Sequence, residues 1–165
     1  MVWLKELETT SVFRGLNDQQ LETLSALCTM ESYKRDDCLF KEGEPAEHMW
    51  IVTEGQVDLR FELPGNRTSS AENTVSSFTA QEDRKRVLGW SCFVPPYRMT
   101  LSAYCVSRTC SVIKIGRADL LETFEQDMAM GYKVMSYLIK VVGYRFQQFQ
   151  EELVKVQGRD IMHSW

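Results

Sequence analysis

The sequence predicts a mainly β protein with flanking helices: an antiparallel β-roll, or jelly roll, followed by one long C-terminal helix. Three observations predict it. Short apolar runs of strand length are punctuated by Glu42-Gly43-Glu44-Pro45, Glu54-Gly55 and Gly89 through the middle of the chain. Apolar residues recur at helical spacing on either side of that stretch. Finally, Tyr132, Ile139, Phe146 and Leu153 are spaced by seven, and Met135, Val142, Phe149 and Val156 each follow three residues later. That is an a/d seam through four heptads.

Residues 2 to 8 read as a short helical turn. Asn17 caps the next helix with Gln20 in the reciprocal position. Leu21, Leu24 and Leu27 mark the packing face of that helix, with Cys28 beside them. From Glu31 the period changes. Cys38 to Lys41 and Met49 to Val52 read as strands. After Glu54-Gly55, the apolar Val57, Leu59 and Phe61 alternate with Gln56, Asp58 and Arg60, as in a half-buried strand. Leu63 to about Thr74 is rich in small and polar residues and is expected to be a mobile loop. Val75 and Phe78 belong to a further strand. The basic run Arg84-Lys85-Arg86 reads as a solvated loop end. Two more strands fall near Thr100 to Val106 and Cys110 to Ile115, and Ala118 to Phe124 is a short helix.

The organisation expected is therefore a roll with N-terminal helices and a short hinge helix over 1–126, the seam helix over 127–157, stopped by Gly158, and a tail over 158–165. A helix of about 25 residues is ~38 Å long at 1.5 Å per residue. A small roll does not readily cover that length, so the seam is expected to pair with a second copy and make a homodimer. Gly143, at an e position, permits close approach. Arg145 stands on the shoulder of the seam, where it reads first as an exposed interhelical contact and second as a residue reaching a base or an anion.

The stretch from Leu88 to Thr100 has the parts of an anion cradle. Gly89 allows a backbone conformation or a close approach that a Cβ blocks. Ser91 is placed to accept hydrogen bonds from the first free N–H groups of a short helix, whose N-terminus favours anions. Pro95-Pro96 stops that helix. Arg98 supplies a permanent charge with a planar fork of donors suited to phosphate. Cys92, Met99 and Thr100 complete the candidate set.

Composition narrows the classes. The chain has 165 residues, of which 44% are hydrophobic and 25% charged, as in an ordinary globular protein. The net charge of −4 argues against broad nucleic-acid binding. No signal-length apolar core opens the chain and no later run spans a membrane, so a cytoplasmic protein without membrane attachment is expected. The five cysteines have no CxxC spacing and read as thiols. On one strand, Cys105 and Cys110 would face opposite sides. No metal or cofactor is expected. No nucleophile–base pair, paired metal ligands or dinucleotide loop appears, so an enzyme is not expected. A haem or redox sensor is a minor alternative.

Taken together, Phe13-Arg14-Gly15-Leu16, Phe40-Lys41-Glu42-Gly43-Glu44-Pro45, Ile51-Val52-Thr53-Glu54-Gly55-Gln56-Val57 and the cassette from Gly89 to Arg98 are similar to the cyclic-nucleotide-binding domain family. The resemblance runs from about Val12 to Leu153. It implies that Arg98 pairs with a cyclic phosphate, that N–H groups near Ser91 cap it, and that the last helix lids the ligand and forms the dimer. The family glutamate that binds the ribose 2′-hydroxyl is replaced by Trp90, whose indole is a donor only. Family transcription factors continue into a helix-turn-helix, whereas only Arg159 to Trp165 follow here, so direct DNA binding is not expected. The function implied is a ligand-sensing regulatory module for a cyclic nucleotide or related anionic small molecule, signalling through its terminal helix to a downstream protein. The alternative is a ligand-free interaction or scaffold domain with its pocket filled by Trp90.

Overall fold

The computed structural model describes residues 2–62 and 70–163. Helix α1 (Val2–Thr9) leads through a 3-10 turn, Ser11–Phe13, to α2 (Asp18–Leu27). The predicted capping box is present: the Asn17 side chain accepts from the Gln20 N–H at 2.9 Å, and Gln20 Oε1 accepts from the Asn17 N–H at 3.1 Å. The two reciprocal bonds satisfy donors that a helix start leaves free. Leu21 and Leu24 are buried, as their spacing predicts.

Among the described residues eight strands follow: β1 (Cys28–Lys34), β2 (Cys38–Phe40), β3 (His48–Glu54), β4 (Gln56–Arg60), β5 (Thr74–Thr79), β6 (Val87–Leu88), β7 (Ser102–Cys105) and β8 (Thr109–Gly116). They form two four-stranded antiparallel sheets, in the orders β1-β8-β3-β6 and β2-β7-β4-β5. Met49, Ile51, Val57, Phe78, Val112, Ile113 and Ile115 are buried in a continuous apolar core. The predicted roll is thus present.

Three local expectations are corrected. The strand pattern, expected from Glu31, already begins at Cys28, which both caps the C-terminus of α2 and opens β1, a strand whose few large apolar residues leave almost no period-two signal. In β4 the side expected to face solvent is buried at Asp58 and Arg60, whereas Phe61 is 43% exposed. The strand lies between β5 and β7, and its polar side chains are covered by neighbours. Asp58 accepts from Gln56 Nε2 at 3.0 Å, and the Arg60 guanidinium stands 5.1 Å from the Tyr104 ring centroid. Arg86 is not a solvated loop end: it is buried, donates from Nε to the Val52 carbonyl at 3.2 Å and pairs with Glu6 at 3.5 Å. Cys105 lies on β7 and Cys110 on β8, strands of different sheets, and both are buried. The expected loop from Leu63 to Thr74 falls largely outside the described residues; its described end is a 3-10 turn, Ala71–Asn73, entering β5.

Helix α3 (Arg117–Gln126) and helix α4 (Met128–His163) complete the chain. Asp127 joins them: its carboxylate accepts from the Met130 N–H at 3.0 Å and from Gln20 Nε2 at 2.7 Å, tying the start of α4 to the capped end of α2. Helix α4 has two apolar stripes. Met130, Val134, Leu138 and Val141 are buried against the domain. The first half of the heptad stripe points the other way, with Tyr132 76% and Ile139 68% exposed. Gly158 does not stop the helix, which continues to His163. A glycine inside a helix costs about 1 kcal/mol relative to alanine, which weakens a long helix without ending it.

Candidate functional site

A cavity of about 990 Å3 lies between the roll, the cassette after β6 and the C-terminal half of α4. Phe40 and Leu59 form its apolar floor, and Ser76 and Ser77 of β5 one side. Gly89, Trp90, Ser91, Met99 and Thr100 contribute the cassette wall. Val142, Arg145, Phe146 and Phe149 of α4 close it from above.

The cassette is built around Gly89, which has φ +78°. A Cβ there would lie 2.6 Å from Trp50 Cδ1 and 2.7 Å from the His48 carbonyl oxygen. The residue must therefore be glycine twice over, for its dihedral and for its neighbours. Gly89 also occupies the cap position of a 3-10 turn, Trp90–Phe93. This corrects the capping role expected of Ser91, whose side chain makes no cap bond: Ser91 lies inside the turn, buried, and its carbonyl accepts from the Val94 N–H at 3.2 Å. The turn ends before Pro95-Pro96, as predicted, and these prolines are joined by a cis peptide. Beyond them the chain is laced to the Glu42–Pro45 turn. The Met99 N–H donates to the Glu44 carbonyl and the Gly43 N–H to the Met99 carbonyl, both at 2.8 Å.

These bonds determine where the candidate residues point. Gly89, Trp90, Ser91, Met99 and Thr100 are brought together on the cavity wall, with Trp90 half-buried and Met99 buried. Cys92 is buried in the core cluster, and burial pushes its thiol up to about 12, so it remains protonated. Arg98 does not line the cavity. It is exposed, its backbone bridges Pro45, and its Nη1 donates to the Gly43 carbonyl at 2.8 Å.

A different arginine does line it. Arg145 is half-buried, donates from Nη2 to the Val87 carbonyl, and stands 4.3 Å from the Phe78 ring centroid. Burial lowers its pKa to about 10, which leaves it charged at neutral pH. The first reading of Arg145, an exposed interhelical contact, is thereby corrected. The signal was present in the spacing: Arg145 follows Met130, Val134, Leu138 and Val141 on the stripe that faces the roll. The other charged wall residues are occupied. Lys85 pairs with Glu82 at 3.2 Å, and Glu152 with Lys155 at 2.9 Å, the lysine holding that carboxyl below its ordinary range. Among the described residues no group of three or more His, Cys, Asp or Glu is placed to hold a metal ion, and no helix is long and apolar enough to cross a membrane.

A roll of two antiparallel sheets, with a glycine-started cassette facing a ligand-sized cavity under a long terminal helix, has the architecture of a small-molecule-binding module. Comparison with known proteins makes the assignment specific. The model of the cyclic nucleotide-binding domain matches residues 30–127, more than half of the chain, and the chain belongs to that family. Among solved structures it is similar to a protein from Geobacter metallireducens assigned to cyclic nucleotide binding, with a TM-score of 0.71 and 25% identity over 88% of this chain and 99% of that one. A cyclic nucleotide-binding domain from Methylobacillus flagellatus superposes with a TM-score of 0.72 at 17% identity, covering 92% of this chain and 80% of that one. The regulatory domain of Toxoplasma gondii PKA, solved with cAMP, shares the fold with a TM-score of 0.66 at 14% identity, over 87% of this chain and 49% of that one. Among curated proteins none matches.

Proposed function

We propose that the chain is a ligand-sensing regulatory module that binds a cyclic nucleotide, or a related phosphate-bearing small molecule, in the cavity beneath α4. Gly89, Trp90, Ser91, Met99 and Thr100 form its cassette face. The observation that carries this reading is the cavity itself. Its volume of about 990 Å3 lies at the upper end of the size of small-molecule sites, roughly 300–1,000 Å3. Its aromatic walls, Phe40, Trp90, Phe146 and Phe149, suit a nucleobase. A relative solved with cAMP supports the ligand class.

Signalling runs through α4, which is at once a wall of the cavity and the carrier of an unpartnered apolar stripe. A ligand that binds more tightly to one position of this helix shifts it toward that position, and only by the difference in affinity. The stripe makes the chain a homodimer and passes the change to a protein partner. The module regulates and does not catalyse. The net charge of −4 supports a partner other than DNA. The alternative, a ligand-free scaffold whose pocket Trp90 fills, has less support, because Trp90 stands on the wall and a large volume remains beside it.

Calorimetric titration of the purified protein with cyclic AMP, cyclic GMP and cyclic di-GMP tests this reading. Saturable heat from at least one of them, at one site per chain, is the expected result. Absence of heat from all three in a folded protein would move the assignment to the scaffold.

A further inference from the structure

We propose that Arg145, on α4, and not the cassette arginine Arg98, is the residue that holds the ligand's anionic group. The inference rests on the cavity being the ligand site and names the charge that selects the ligand.

Three observations carry it. First, the two arginines face different places. Arg145 is on the cavity wall, whereas Arg98 is exposed outside it, with its guanidinium bonded to the Gly43 carbonyl. An exposed guanidinium acts through water and contributes little to binding. Second, the wall has an unbalanced positive charge. Its cations are Lys85 and Arg145; Lys85 is paired with Glu82, and the wall carboxylate Glu152 is paired with Lys155. Among the described residues no carboxylate pairs with Arg145. A half-buried cation without a counter-charge is attracted to an incoming anion more strongly than a solvated one, because less water screens it. Third, Arg145 is already oriented. Its bond to the Val87 carbonyl and its place over the Phe78 ring fix the guanidinium plane, leaving other N–H donors of the five for a phosphate.

The consequence is mechanical. The charge belongs to α4 and the cassette wall to the roll, so an anion held by Arg145 ties the terminal helix to the cassette. The ligand class follows as well: a compact phosphate-type anion attached to an aromatic body that lies along Trp90, Phe146 and Phe149.

The test compares wild type with Arg145→Ala, Arg145→Lys and Arg98→Ala, titrated with cyclic AMP, cyclic GMP and cyclic di-GMP, and with adenosine and guanosine as neutral counterparts. Wild type is expected to bind a nucleotide more tightly than its nucleoside, with an affinity that falls as salt rises. Arg145→Ala is expected to lose ~30-fold or more in nucleotide affinity and to abolish that difference and that salt dependence. Arg145→Lys retains part of both, and Arg98→Ala stays within about threefold of wild type. If Arg145→Ala unfolds, the lysine variant and the nucleotide-to-nucleoside ratio of wild type decide. Loss in Arg98→Ala with full binding in Arg145→Ala and Arg145→Lys would overturn this inference and leave the ligand site standing. A wild type that binds nucleotide and nucleoside equally would also overturn it. A wild type that binds neither would overturn both.

Discussion

Gly89 shows how one residue shapes this site. Its left-handed dihedral turns the chain out of β6 and into the 3-10 turn that carries Trp90 and Ser91, and the absence of a Cβ lets the turn sit on Trp50. Gly89→Ala introduces the left-handed penalty, roughly 1–2 kcal/mol, together with contacts inside van der Waals distance. The expected loss is at least ~2 kcal/mol, read as a fall in Tm of roughly 4–8 °C by thermal denaturation. An unchanged Tm would mean that the turn does not need this dihedral. The importance of Gly89 was legible in the sequence, because a glycine before a short segment stopped by two prolines has few other uses. The direction of Arg98 was not legible. Its side chain is turned aside by a bond to the Gly43 carbonyl, and the next residue, Met99, is held by Glu44; both partners are more than 50 positions away, and no local pattern records such a pairing. The position of Arg145 was half legible: its spacing continues the buried stripe of α4, but its charge suggested the surface.

At the scale of elements, α4 organises the account. One stripe is buried in the domain; the heptad stripe lines the cavity at Val142, Phe146 and Phe149 and is left unused at Tyr132 and Ile139. Ile139 lies on the unused part and away from the cavity, so it separates association from folding and from ligand binding. The wild type is expected to sediment as a dimer and Ile139→Glu as a monomer with the same far-ultraviolet circular dichroism. A wild type that sediments as a monomer would contradict the seam. The helix was the most legible element of the sequence, because four heptads repeat one signal. Its end was not, since a glycine in a long, otherwise regular helix weakens it without stopping it. Strand β1 was missed for the opposite reason. Cys28, Thr29, Met30, Glu31, Ser32, Tyr33 and Lys34 carry little apolar alternation, and their strand state comes from pairing with β8 along the whole length. In β4 the alternation misled, because the Gln56 and Tyr104 side chains partner Asp58 and Arg60 on the face expected to meet solvent.

For the whole molecule, the roll was legible because glycine turns and short apolar runs are local signals that add up. The cavity was not, because it exists only where three distant parts meet: β2, β4 and β5, the cassette, and α4. A phosphate-bearing small molecule in this space would connect roll and helix. A crystal structure of the wild type grown with a saturating cyclic nucleotide tests it most directly. Density for one ligand per chain is expected between Trp90 and Arg145, with α4 seated over it. A ligand bound elsewhere, or a Trp90 ring that fills an otherwise empty cavity at saturation, would contradict it.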